Sequence, residues 1–308
     1  MTEGKAVPKI AVGTHGVADW ACDAVREGGG EVVEASEAEG LVWTDFDTTE
    51  QLIATLASNP KITWVQVPFS GVETYLPYID GTRTWTSAKG VFGGAVAELA
   101  LALLLAGMRH VGGYAREKHW SEDHGRTLFG ARVTILGAGG IAQSLISMLQ
   151  PFNCHITVVR NRTGELPGAQ EVVTTSKLDT TLSQADAVVM ALALTPETHG
   201  IMGKKQFELM QAHAWLVNVG RGKQIITDDL VWALETGEIG GAALDVTDPE
   251  PLPTGHPLWS MPNCIITPHV GNTAEMVPPL LALRITENVR RFARGEQLIG
   301  IVDLAVGY

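Results

Sequence analysis

The length, composition and charge of the chain restrict the class of protein to which it can belong. Its 308 residues are 45% hydrophobic and 18% charged, which is typical of a globular protein and leaves room for two domains. The formal net charge of −12 argues against nucleic acid as a partner, and three widely separated cysteines argue against disulfides or a cysteine-based zinc site.

The N-terminal third alternates between strand and helix patterns, which predicts a parallel α/β sheet. Residues 1–9 contain no apolar signal core, so we expect a cytoplasmic protein. The hydrophobic patterns predict strands at 9–12, 31–34, 40–44 and 62–67, and a helix at 48–57.

A nearly apolar run follows at 91–108, interrupted by Glu98 and several glycines. By length alone this run fits a transmembrane helix, but the charge within it favours a buried helix between domains or at a subunit interface. We therefore predict a buried helix at 95–108 and expect no membrane among the partners.

Segment 133–162 has the pattern of a strand, a glycine turn, a helix and a second strand. The turn reads GAGGIA and fits the G-x-G-x-x-[G/A] pattern of dinucleotide-binding units. Gly137 permits the tight turn, Gly139 lets a pyrophosphate approach the backbone, and Ala142 lets helix and strand pack closely. Because the start of the helix offers N–H groups to phosphate, we predict that the cofactor contacts Gly137, Gly139, Gly140, Ile141 and Ala142.

The second strand of this unit ends at Arg160-Asn161-Arg162, where an NAD-binding unit usually carries an acidic residue. That acid would accept hydrogen bonds from the ribose hydroxyls and repel the additional phosphate of NADP. A guanidinium instead binds phosphate through paired N–H donors. We therefore predict that Arg160, Asn161 and Arg162 favour NADP(H). The alternative is that the arginines are solvated loop residues and that the cofactor is NAD(H).

Three charged or titratable residues stand just beyond the ends of later strands. The predicted elements here are strands at 187–194, 214–219, 241–246 and 264–267, and a tail helix at 282–294. Arg221, Glu250 and His269 follow the last three strands. Ligands of an open α/β sheet bind beyond the carboxyl ends of its strands, so distant residues can meet there. Each residue alone fits an ordinary loop position, but their joint placement favours a catalytic site.

This set of residues fits the reduction of a 2-keto acid, which needs a hydride at the carbonyl carbon and a proton at the carbonyl oxygen. His269 can donate the proton, and Glu250 can hold the imidazole in place. Arg221 can bind the substrate carboxylate or polarise the carbonyl group. The cofactor would supply the hydride, and no metal is required.

Several motifs together resemble those of the D-isomer-specific 2-hydroxyacid dehydrogenases. Besides the glycine turn, they are LTPET (194–198), NVGRG (218–222), ALDVTDPEPLP (243–253) and TPHVGNT (267–273). The resemblance covers nearly the whole chain and implies that Arg221, Glu250 and His269 are the catalytic residues. It also implies that Thr195 contacts the cofactor and that Asp245 hydrogen-bonds the nicotinamide carboxamide.

The fold implied by this resemblance is α/β, with a flavodoxin-like substrate domain and a doubly wound dinucleotide-binding domain, usually in a homodimer. We expect the substrate-binding domain at 1–96 plus 284–308 and the NAD(P)-binding domain at 97–283, with the active site in the cleft. The resemblance further implies that backbone N–H groups of Ser70, Gly71 and Val72 receive the substrate carboxylate. Ala193 departs from the family pattern, which often has proline there, and this puts cofactor affinity rather than catalysis in question.

Within the family, the RNR ending, the length and the closing GIVDLAVGY (300–308) are most similar to glyoxylate/hydroxypyruvate reductases. We therefore expect NADPH-dependent reduction of a small 2-keto acid to the D-2-hydroxy acid. Formate dehydrogenases pair their histidine with glutamine, whereas this chain has Glu250, and long phosphoglycerate dehydrogenases carry an additional regulatory domain. Two alternatives stay open: a phosphoglycerate dehydrogenase-like or other NAD-dependent member, and a non-catalytic corepressor-type protein that senses nucleotides.

Overall fold

The structure is a computed structural model that describes residues 7–13, 18–45, 48–79 and 81–303. Residues 1–6, part of the segment without a signal core, and residues 304–308 of the GIVDLAVGY motif lie outside the described residues. The chain forms two compact units, which are residues 1–92 with 273–308 (unit 1) and residues 93–272 (unit 2). The domain boundaries predicted from the sequence lie further along the chain, at 96/97 and 283/284.

The helices and strands alternate along most of the chain. Those of the first part of unit 1 are β1 Lys9–Val12, α1 Asp19–Glu27, β2 Glu31–Val32, β3 Gly40–Val42, α2 Thr49–Ser58, β4 Trp64–Gln66 and β5 Thr84–Thr86. Those of unit 2 are α3 Gly93–Met108, α4 Val111–Tyr114, β6 Arg132–Leu136, α5 Gly140–Leu149, β7 His155–Arg160, β8 Glu171–Thr174, α6 Leu178–Leu182, β9 Ala187–Met190, α7 Lys204–Leu209, β10 Trp215–Asn218, α8 Thr227–Thr236, β11 Gly241–Leu244 and β12 Cys264–Ile266. The last helix, α9 Val277–Arg294, belongs to unit 1.

The sheet of unit 1 has five parallel strands in the order β2-β1-β3-β4-β5, which is the order of a flavodoxin-like fold. Strands β3 and β4 are buried at every residue, as expected for parallel strands covered on both faces. Helix α9 packs against α1, where the Thr286 hydroxyl donates a hydrogen bond to Ala24 O at 3.1 Å. The C-terminal helix therefore completes the core of unit 1.

The sheet of unit 2 has seven parallel strands in the order β12-β11-β10-β9-β6-β7-β8. The chain enters at β6, adds β7 and β8 on one side, and then returns to β9 on the other side. This is the doubly wound arrangement, and its switch point lies between β6 and β9. The fold class predicted from the sequence, two Rossmann-like α/β units, is confirmed.

Two strands, β5 and β8, have no counterpart among the predicted strands. Each is the last strand at one edge of its sheet. Their sequences, TWT and EVVT, are short and begin or end with polar residues. Such edge strands lack the buried aliphatic run by which a central parallel strand is recognised.

The helix predicted at 95–108 is α3, which begins at Gly93 and buries one face in unit 2. At Gly107 it passes so close to Trp215 of β10 that a Cβ would lie 2.2 Å from the indole ring. None of the helices in the described part of the chain is both long enough and apolar enough to cross a membrane.

Candidate active site

The predicted site residues of unit 2 lie along one edge of its sheet. Because β6, β9, β10, β11 and β12 are parallel neighbours, their carboxyl ends face the same direction. The glycine turn follows β6, the LTPET segment follows β9, and Arg221 follows β10. Glu250 and His269 follow β11 and β12. The sheet thus brings together residues that are far apart in the sequence.

The glycine turn connects β6 to α5 in the way that the sequence predicts. Gly137 has a φ of +111°, and a Cβ there would lie 2.5 Å from Ala191 O, so this position requires glycine. Gly139 is the N-cap of α5 and no side chain caps the helix, while a Cβ at Gly139 would meet no atom within 4 Å. The backbone at Gly139, Gly140 and Ile141 is therefore accessible to a phosphate at the start of the helix, and Ala142 is fully buried. These features fit the pyrophosphate of a dinucleotide.

The two arginines after β7 have different surroundings. The Arg160 guanidinium donates hydrogen bonds to Arg162 O at 2.7 Å and to Gly164 O at 3.2 Å, so it holds the loop that follows the strand. Asn161 and Arg162 are exposed on this loop. Arg160 therefore stabilises the loop on which Asn161 and Arg162 are exposed to solvent.

His269 and Glu250 form a hydrogen-bonded pair, with Nδ1 of His269 2.6 Å from Oε1 of Glu250. The two side chains are 51% and 41% exposed, so the imidazole is accessible to a ligand. The other carboxylate oxygen of Glu250 accepts a hydrogen bond from Thr247 N at 3.4 Å. This contact orients the carboxylate, which in turn fixes the orientation of the imidazole ring.

His269 lies in a turn that the buried side chain of Asp245 organises. One carboxylate oxygen of Asp245 accepts hydrogen bonds from the Thr267 hydroxyl at 2.6 Å and from Val270 N at 2.9 Å. The other accepts from Gly271 N at 2.9 Å. His269 itself has a φ of +52°, a conformation that a residue with a side chain rarely adopts and that its surroundings must hold. Asp245 therefore stabilises the conformation that presents His269.

Arg221 begins the loop after β10 and lies in a compact network of hydrogen bonds. Its guanidinium donates to Gly220 O at 2.9 Å, and Asn218 Nδ2 donates to Arg221 O at 3.1 Å. At the next residue, Gly222, a Cβ would lie 1.8 Å from Thr247 O. Because position 222 has no side chain, the loops after β10 and β11 can approach each other.

The LTPET segment after β9 is held by the buried hydroxyl of Thr198. This oxygen accepts a hydrogen bond from Thr195 N at 2.7 Å and donates one to Ala193 O at 2.8 Å. The Thr195 hydroxyl hydrogen-bonds the Glu197 carboxylate and lowers the pKa of Glu197. Thr195 therefore has a fixed backbone position at the same edge of the sheet.

The predicted substrate loop belongs to unit 1 and follows β4. The Ser70 hydroxyl donates a hydrogen bond to Ala88 O at 3.0 Å, and Ala88 N donates to Phe69 O at 2.7 Å. Among the described residues, none accepts a hydrogen bond from the backbone N–H groups of Ser70, Gly71 or Val72. Ser70 is exposed and Gly71 is partly exposed, so their N–H groups are available to an anion, whereas Val72 is buried.

Some residues that shape the site lie in the recognised motifs but were not predicted as site residues. Thr247 and Thr267 contact Glu250 and Asp245, as described above, and Asn218 binds the loop that carries Arg221. All three lie inside recognised motifs, so inspection of the polar residues in each motif is the signal that would find them. Within the described ranges, no group of three or more His, Cys, Asp or Glu residues could hold a metal ion.

Comparison with known proteins agrees with this arrangement. The family described as D-isomer specific 2-hydroxyacid dehydrogenase, NAD binding domain, matches residues 100–271. A protein of Corynebacterium melassecola, described as an uncharacterized protein in the proB 3' region, is 39% identical over 294 residues, which are 92% of this chain and 95% of that protein. Human glyoxylate reductase/hydroxypyruvate reductase is 36% identical over 219 residues, which are 66% of this chain and 64% of the human protein.

A solved structure of a relative is similar to this protein over nearly the whole chain. The D-isomer specific 2-hydroxyacid dehydrogenase from Xanthobacter autotrophicus Py2, in complex with NADPH and MES, has a TM-score of 0.84 and 26% identity, covering 98% of this chain and 100% of that one. The family match spans more than half of this chain and contains the glycine turn, Arg221, Glu250 and His269. The chain therefore belongs to the D-isomer specific 2-hydroxyacid dehydrogenases, a family of NAD(P)-dependent oxidoreductases.

Proposed function

We propose that this protein is an NADPH-dependent reductase that converts a small 2-keto acid, such as glyoxylate or hydroxypyruvate, to the D-2-hydroxy acid. The observation that carries the proposal is the His269–Glu250 pair, which lies at the same edge of the sheet as the glycine turn. The human relative named glyoxylate reductase/hydroxypyruvate reductase supports the substrate class. The NADPH complex of the Xanthobacter autotrophicus relative supports the cofactor.

The residues of unit 2 provide a place for each part of the dinucleotide. The glycine turn and the start of α5 bind the pyrophosphate, and the loop with Asn161 and Arg162, braced by Arg160, binds the additional phosphate of NADP. A carboxylate has about four acceptor positions, and three of those on Asp245 are occupied in the turn, so one is left for the nicotinamide carboxamide. Thr195, in the LTPET segment, also contacts the cofactor. When bound, the cofactor supplies the hydride.

His269 acts as the general acid in the proposed reaction. Its Nδ1 is bonded to Glu250, so Nε2 is the ring nitrogen that donates a proton to the carbonyl oxygen. Because the side chain is half-exposed, the ring can regain its proton from solvent after each turnover. In the reverse direction the same nitrogen accepts the proton from the hydroxyl group.

Substrate binding is assigned to Arg221 and to the loop after β4. The Arg221 guanidinium carries a permanent charge that binds the carboxylate or polarises the carbonyl group. The backbone N–H groups of Ser70, Gly71 and Val72 bind the carboxylate. We accordingly propose that unit 1 and Arg221 of unit 2 bind the substrate and that unit 2 binds the cofactor. We also propose a homodimer, which analytical ultracentrifugation tests.

A panel of 2-keto acids tests the proposed function directly. Purified protein is assayed with glyoxylate, hydroxypyruvate, pyruvate and 3-phosphohydroxypyruvate, each with NADPH and with NADH. We expect the highest kcat/KM with glyoxylate or hydroxypyruvate and NADPH, and a D-configured product from hydroxypyruvate. Preference for 3-phosphohydroxypyruvate and NADH would instead identify a phosphoglycerate dehydrogenase-like enzyme. NADPH binding without turnover of any substrate would support a nucleotide-sensing protein.

A further inference from the structure

Gln224 is a fully buried polar residue in the loop after β10. Its Oε1 accepts a hydrogen bond from Arg221 N at 3.1 Å. Its Nε2 donates to Leu192 O at 3.2 Å and to Ala193 O at 3.1 Å. A buried amide is costly unless its hydrogen bonds are made, so these three contacts fix the position of the side chain.

Gly220 provides the space that the Gln224 amide occupies. A Cβ at position 220 would lie 2.6 Å from Gln224 Oε1 and 3.1 Å from Leu192 O. The oxygen cannot move away easily, because it is buried and bonded to Arg221 N. The glycine at 220 and the glutamine at 224 are therefore sterically coupled.

The contacts of Gln224 join two segments of the candidate site. One segment is the loop that begins at Arg221, and the other is the chain at 192–193, just before Thr195. We propose that Gln224 is a positioning residue that holds the backbone of Arg221 against the segment leading to Thr195. This proposal rests on the proposed function, in which Arg221 binds the substrate and Thr195 contacts the cofactor.

A general core role for Gln224 makes a different prediction. If the side chain only fills space, methionine, which has a similar length and no amide, should replace it without an effect on Arg221. If Gln224 positions Arg221, the loss of the amide leaves Arg221 N without its acceptor and the carbonyl groups of residues 192–193 without their donor. The two roles differ in what happens at Arg221, and a measurement there separates them.

Amide hydrogen exchange in Gln224→Met provides a test that does not depend on activity. We expect the exchange of Arg221 N–H to accelerate about tenfold or more, the equivalent of about 1.4 kcal/mol, while the Val217 amide in β10 keeps its protection. Gln224→Glu retains an acceptor and should retain most of the protection at Arg221. Unchanged exchange at Arg221 in Gln224→Met would overturn the proposal. This result is informative even if the protein reduces no 2-keto acid, which would contradict the proposed function alone.

Steady-state kinetics tests the consequence for the substrate. We expect Gln224→Met to raise KM for the 2-keto acid about tenfold with a smaller change in kcat. The exposed Gln184, in the same unit, provides the matched control Gln184→Met, which should behave like the unmodified protein. Faster exchange at Arg221 with an unchanged KM and kcat would overturn the positioning role.

A double-mutant cycle covers the case in which Gln224→Met does not fold. Gly220→Ala alone should displace the Gln224 amide and accelerate exchange at Arg221, because its methyl group would lie only 2.6 Å from Oε1. In Gly220→Ala/Gln224→Val the amide is absent, so the alanine should add little to the effect of Gln224→Val. If the two substitutions had fully additive effects on KM and on exchange, Gly220 and Gln224 would not be coupled and the proposal would be overturned.

Discussion

Oε1 of Glu250 lies 2.6 Å from Nδ1 of His269, although 19 positions separate the two residues in the chain. The contact exists because β11 and β12 are parallel neighbours, whose carboxyl ends bring the loops that follow them together. The carboxylate accepts from Nδ1 and so leaves Nε2 as the nitrogen for proton transfer. The pair has the geometry of a general acid with its orienting group.

Replacement of the proposed acid should strongly reduce turnover without preventing cofactor binding. His269→Gln removes the proton donor, and we expect kcat to fall by about 10² to 10⁴. NADPH affinity, measured by fluorescence titration, should change little, since the glycine turn is unaffected. His119→Gln changes a histidine that is 74% exposed and is the matched control. Normal turnover by His269→Gln would show that another group donates the proton.

Glu250→Gln should reduce kcat less than the change at His269. The amide oxygen still accepts a hydrogen bond from Nδ1, but the negative charge beside the imidazole is lost. We expect a fall in kcat of roughly tenfold, equal to about 1.4 kcal/mol, with a nearly unchanged KM. Glu235→Gln provides the control with the same chemical change at an exposed position of unit 2. A larger loss of kcat in Glu250→Gln than in His269→Gln would indicate that Glu250, and not His269, is the proton donor.

The two arginines after β7 should contribute differently to cofactor binding. Arg162→Ala removes an exposed guanidinium, and we expect NADPH affinity to fall about tenfold while NADH affinity stays the same, because charged hydrogen bonds contribute about 1.5–3 kcal/mol. Arg160→Asp should weaken NADPH far more than NADH, since it adds a negative charge and also removes the contacts to Arg162 O and Gly164 O. Isothermal titration with both cofactors measures the difference. Equal affinity of the unmodified protein for NADPH and NADH would contradict the assignment of the arginines to phosphate binding.

Asp245→Asn should destabilise unit 2 as well as reduce activity. The amide nitrogen of asparagine cannot accept from Val270 N or Gly271 N, so at least one buried N–H group loses its acceptor. We expect a loss of about 1–3 kcal/mol in the free energy of unfolding, which corresponds to about 2–4 °C in Tm per kcal/mol for a unit of this size. Thermal unfolding followed by circular dichroism measures it, with the exposed Asp123→Asn as control. An unchanged Tm together with weaker cofactor binding would show that Asp245 contacts the cofactor but does not stabilise unit 2.

The features that depend on local patterns could be predicted from the amino-acid sequence. The glycine turn, the alternation of strands and helices, and the basic residues after β7 are each contained in a short segment, because tight turns and central strands need particular neighbouring residues. The placement of Arg221, Glu250 and His269 at strand ends was also predictable, because all carboxyl ends of a parallel sheet share one edge. The edge strands β5 and β8 were not predicted, because their short sequences lack the run of aliphatic residues that identifies a buried strand.

The contacts that hold the loops beyond the strands could not be predicted and are visible in the three-dimensional structure alone. The structure shows Arg160 bonded to its own loop, Asp245 within the turn of His269, and Gln224 between Arg221 and residues 192–193. These contacts join segments up to 32 positions apart in the chain. Hydrogen bonds of this kind depend on where separate loops meet, and a buried polar side chain finds its partners only after the sheet has brought those loops together.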